Sequence, residues 1–132
     1  MNREDLANRK ISDLINRFRS FQADWDGYGA SPFSQEMLDT VSGFFERLPD
    51  EVMDRTISGR EGLSPSVVPI SNGSLQIEWR KVQRLLELEF ETPETIRYLK
   101  WSPSEGIEAE GVYSVADLAP SLDLIEWVSR GE

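Results

Sequence analysis

Three glutamates, Glu87, Glu89 and Glu91, alternate with Leu86, Leu88 and Phe90, a spacing that puts all three carboxylates on one face of an extended strand. Such sets hold hard cations or exchange protons in acid–base chemistry, and Glu78 can join them from a neighbouring strand. Same-face neighbours on a strand stand roughly 7 Å apart, which suits solvation and cross-strand ion pairs better than convergence on one ion. Arg80, Arg84 and Arg97 are at hand as partners. The expectation is an acidic sheet face, either solvated and salt-paired or turned toward a protein, rather than a metal or catalytic centre.

Missing residue types narrow the chemistry further. The sequence has no histidine and no cysteine. Disulfides, thiolate nucleophiles, Cys/His zinc sites, Ser-His-Asp triads and imidazole switches are therefore all excluded. Tyr28, Lys81, Lys100 and the serines show no spacing that pairs a nucleophile with a base. There is no phosphate loop ending in GK[ST], no dinucleotide fingerprint and no RNA-binding aromatic signature. No enzymatic activity, cofactor or metal is expected.

The second unusual cluster is Trp25-Asp26-Gly27-Tyr28-Gly29-Ala30. Asp-Gly is a strong turn signal, and the second glycine allows another positive φ. Trp25 and Tyr28 each carry a large apolar body with one polar tip. Folded onto the strands, they would lie near Trp79, Trp101 and Trp127. Core packing is the plainer role; a ligand pocket or partner-binding patch built from Trp25, Asp26, Tyr28 and Trp79 is the sharper one.

These residues need a scaffold. Asn2 and Asp5 open a helix over about 3–22, with Leu6, Ile11, Leu14, Ile15 and Phe18 at helical spacing. Ser31-Pro32 or Ser34 opens a second, whose stripe is Met37, Leu38, Val41, Phe44, Phe45 and Leu48, stopped by Pro49. Residues 50–65 read as a loop, with a short helical turn at 51–54 and a Gly-rich stretch at 58–62. Period two then takes over. Strands are expected at 67–70, 75–79, 86–90 and 96–101, with a weaker one at 107–113, and turns at Asn72-Gly73, Lys81 to Arg84, Thr92-Pro93-Glu94 and 102–106. A turn at 115–118 precedes a helix that begins near Pro120 and ends at Gly131. Leu122, Ile125 and Val128 face the sheet. The architecture is α+β, a single domain with two N-terminal helices (about 1–49), an antiparallel meander of four or five strands (about 66–113) and a C-terminal helix (about 115–130) packed on it.

Charge bears on partners. The net charge is −10, from 24 acidic against 14 basic residues, which disfavours nucleic acid as a direct ligand. From Trp101 onward seven acids stand against Arg130 alone, whereas the first 22 residues carry five bases against three acids. No apolar run approaches the ~20 residues that span a bilayer, and the first residues are polar, so the expected location is cytoplasmic with no membrane partner.

The order Trp25-Asp26-Gly27-Tyr28-Gly29-Ala30, Pro32, Leu48-Pro49, Pro69, then Gly73-Ser74-Leu75-Gln76-Ile77-Glu78-Trp79 and Leu86-Glu87-Leu88-Glu89-Phe90 resembles a loose set of small bacterial and phage proteins. They share a similar WDGYGA … P … G-x-x-Q-x-E-W … L-E-x-E arrangement. The resemblance spans about residues 25–90 and brings no activity to transfer. It implies an accessory protein of the antitoxin or defence type. The expected function is thus a non-enzymatic acidic module that binds another, basic protein, with homodimerisation left open. The alternative is a small-ligand-binding domain with an aromatic pocket at the WDGYGA corner.

Overall fold

The computed structural model describes residues 12–52 and 65–131. Helix α1 covers 12–19 and ends in two turn bonds, from the Ser20 N–H to the Arg17 carbonyl and from the Phe21 N–H to the Phe18 carbonyl. It stops short of residue 22, and its expected start at 3–11 lies outside the described residues. Helix α2, Gln35–Arg47, is capped by Ser34, whose hydroxyl accepts the Met37 N–H at 3.0 Å. Of the two candidate starts, Ser34 is the one used. Residues 50–52 form a short helical stretch, α3. The Gly-rich stretch at 58–62 lies outside the described residues.

Five strands follow: β1 (Ser66–Pro69), β2 (Leu75–Lys81), β3 (Arg84–Thr92), β4 (Thr95–Ser102) and β5 (Gly106–Ser114). Each pairs antiparallel with its neighbour in sequence, giving one sheet in the order β1-β2-β3-β4-β5. Pro69, which cannot donate to a ladder, closes the short edge strand β1. Helix α4, Leu118–Ser129, begins two residues before Pro120. Proline is tolerated there because the first-turn N–H groups have no partner within the helix.

Strict alternation makes the sheet two-faced. Leu75, Ile77, Trp79, Leu86, Leu88, Phe90 and Ile96 are fully buried, in one core with Ile15 and Phe18 of α1, Val41 and Phe44 of α2, and Ile125 and Val128 of α4. Phe44 meets Phe90 edge to face, with centroids 5.3 Å apart.

Polar ties fix α4 in place. Tyr113 of β5 shares a hydrogen bond with the buried Ser121 hydroxyl, and burial pushes the Tyr113 hydroxyl up to about 12. At the far end, Lys81 donates to the Ser129 carbonyl at 2.9 Å and Arg84 to the Trp127 carbonyl. Two cations from the β2–β3 hairpin thus sit on the negative end of the helix dipole. Arg84 and Lys100 also lie over the Trp127 ring, 4.9 and 4.6 Å from its centroid. From α2, Arg47 donates to the carbonyls of Val115 and Ala116.

Candidate functional site

The aromatic corner is a loop closed on itself. Asp24 (φ 64), Gly27 (φ 79) and Gly29 (φ 86) all occupy the left-handed region, so the chain reverses within a few residues. The Asp24 N–H donates to the Ala30 carbonyl at 2.7 Å, and its carboxylate accepts the Gly29 N–H. One Asp26 carboxylate oxygen accepts the N–H groups of Tyr28 (2.8 Å) and Ala30 (3.1 Å). Both aspartates therefore spend an oxygen on holding backbone in place. The Trp25 indole donates to the Ser31 carbonyl at 2.7 Å, while its ring lies 5.0 Å from Phe21 and 5.8 Å from Phe33. The Ser31 N–H reaches the Ser71 carbonyl, tying the corner to the β1–β2 turn.

This geometry separates the residues that an aromatic pocket would need together. Tyr28 stands at the loop tip, 93% exposed. Trp79 is 0% exposed, because its parity on β2 turns it to the helix-covered face. No ring contact joins Trp25, Tyr28 and Trp79 among the described residues. The expected gathering of tryptophans disperses: Trp25 joins a phenylalanine cluster, Trp79 enters the core, and Trp127 lies under two cations. The Trp79 indole N–H is buried with no acceptor among the described residues.

The acidic face is assembled as its spacing predicts. Strand register places Glu78 opposite Glu87 and Glu89 opposite Arg97, on the face away from the helices. Of the expected basic partners, Arg97 pairs with Glu91 at the end of the row. Arg84 points to the other face, where it holds α4. Glu78 accepts from the Gln76 side chain at 2.7 Å. Neither Glu87 nor Glu89 has an ion-pair partner among the described residues. Partial burial, and then the neighbouring Glu78 and Glu89 carboxylates, push the Glu87 carboxyl above its usual range, with Arg80 opposing. Among the described residues no three acids converge as metal ligands.

Beside the carboxylates runs an apolar row that sequence reasoning missed. Leu85 pairs with Trp101, and Trp101 with Ile107, while Leu99 sits between Glu87 and Glu110. Leu85, Leu99, Trp101 and Ile107, with Arg80 and Glu87, line an open cleft of about 360 Å3. Ile107 is 56% and Val112 52% exposed. The signal was present in β4, which is apolar at both parities, with Ile96 and Tyr98 on one face and Leu99 and Trp101 on the other. Two further clefts flank α2. One is bridged by the Arg19–Asp39 ion pair, and the other is lined by Arg47.

The chain matches no protein-family model, no curated protein and no solved structure.

Proposed function

We propose that the protein is a non-enzymatic, cytoplasmic interaction module that binds a basic protein through the open face of its sheet. One observation carries this reading: Glu87 and Glu89, neither with an ion-pair partner among the described residues, stand beside a half-buried apolar row of Leu85, Leu99 and Trp101 that ends in the exposed Ile107. Apolar contact area with aromatic anchors supplies affinity, and unpaired charge at its margin supplies orientation and partner choice. A face meant only for water would need the charges and not the apolar row.

The test begins with a partner recovered by the tagged protein from cells of its source and then purified. Binding to the purified partner should weaken at least tenfold when Glu87 and Glu89 are both replaced by lysine, and should weaken with added salt. The paired variant Ile107→Thr and Val112→Thr should weaken it independently of salt, with the thermal midpoint unchanged. Unaltered affinity in both variants would remove the open face as the binding surface.

A further inference from the structure

The open cleft has a chemistry more specific than that of the face around it. Glu87 and Trp101 are diagonal neighbours across β3 and β4, since Leu85 pairs with Trp101 and Glu87 with Leu99. Diagonal positions on one face are separated by about 7–8 Å, a gap that long and aromatic side chains can span. Between them the floor is Leu85 and Leu99, with Ile107 at the outer wall. The cleft thus offers an aromatic ring, an aliphatic floor and a carboxylate with no ion-pair partner among the described residues, on which the nearby Arg80 acts only at longer range. Arg80 lines the cleft but makes no ion pair among the described residues, and Arg97 is committed to Glu91.

We propose that this cleft receives an arginine side chain of the partner, its methylenes on Leu85 and Leu99 and its guanidinium between the Trp101 ring and the Glu87 carboxylate. The inference rests on the reading of the open face as the docking surface and names what that surface grips. Charge complementarity selects a cation, because Glu87 in the cleft and its register neighbours Glu78, Glu89 and Glu110 outnumber Arg80, the one base without an ion pair around the cleft among the described residues. Planarity selects arginine over lysine: a guanidinium stacks on an aromatic ring and bonds a carboxylate through its fork, whereas an ammonium is a compact, strongly hydrated point charge.

The test uses the whole protein labelled with nitrogen-15 and three small probes: N-acetyl-arginine methylamide, its citrulline counterpart of equal shape and no charge, and the lysine counterpart. The arginine probe should give saturable shifts at the Trp101 indole N–H and the Leu85, Leu99 and Ile107 amides. Citrulline should bind at least tenfold more weakly, and lysine several-fold more weakly. Glu87→Gln should weaken the arginine probe about tenfold, while Glu91→Gln, whose carboxylate is engaged by Arg97, should leave it unchanged. Equal binding of citrulline or lysine, shifts that do not saturate, or shifts centred elsewhere would overturn the assignment. If the arginine probe fails while the Glu87→Lys, Glu89→Lys variant still loses the partner protein, the arginine site falls and the docking face stands. If both fail, the docking face falls as well.

Discussion

Glu87 shows how one residue can be legible in identity and not in condition. Its place on the outward face follows from alternation with Leu86 and Leu88, but its charge state depends on the neighbours that β2 and β4 bring, which local sequence does not specify. Burial beside two other carboxylates makes the folded protein hold the Glu87 proton more tightly than the unfolded chain does. Stability therefore falls as pH rises from the ordinary value of 4.5 through the raised folded value, and above that window the charged group is a standing penalty. Glu87→Gln should raise the urea midpoint at pH 7 and leave it nearly unchanged near pH 3, where wild-type Glu87 is itself neutral. A lowered midpoint at pH 7 would show that the carboxylate is held by a favourable contact instead. Asp26 was legible as a turn residue from its place before Gly27, and the turn engages one of its carboxylate oxygens, as it does one of Asp24.

Among the elements, strands were easier to read than helix ends. Period two in Leu75 to Trp79 and Leu86 to Phe90 repeats often enough to fix both existence and face. Helix α4 starts at Leu118, two residues ahead of Pro120, because any of the first turn's unpartnered N–H groups can be given up to proline. The far end of α4 could not have been read locally, since its last carbonyls are met by Lys81 and Arg84 from more than forty residues away. Arg84→Ala removes a charged hydrogen bond and a cation over the Trp127 ring together, and should cost about 2 kcal/mol in urea unfolding. Arg80→Ala, in the same hairpin but facing outward without an ion pair among the described residues, should change stability by less than about 0.5 kcal/mol. Similar losses for both would mean that the hairpin's charge, and not its grip on α4, is what counts.

The molecule as a whole is one-sided. Helices α1, α2 and α4 share one face of the sheet, and among the described residues no helix or strand packs on the other. The α+β architecture and its sequential strand order follow from helical stripes ahead of Pro49, alternation after Val67, and turn residues at each reversal. The apolar row on the open face did not follow, because it exists only in register. Leu85, Trp101 and Ile107 come from three strands and become neighbours through pairing alone. The same pairing hides Trp79 completely and leaves its indole N–H without an acceptor among the described residues. That hydrogen can reach water only when the core opens, so its exchange with deuterium should be as slow as that of the slowest backbone amides of β2 and β3, and should quicken with denaturant in parallel with global unfolding. A hydrogen exchanging within seconds would show water reaching the centre of the sheet in the native state. Trp79 is in this sense a timekeeper, built into the middle of the fold, for how often the whole structure comes apart.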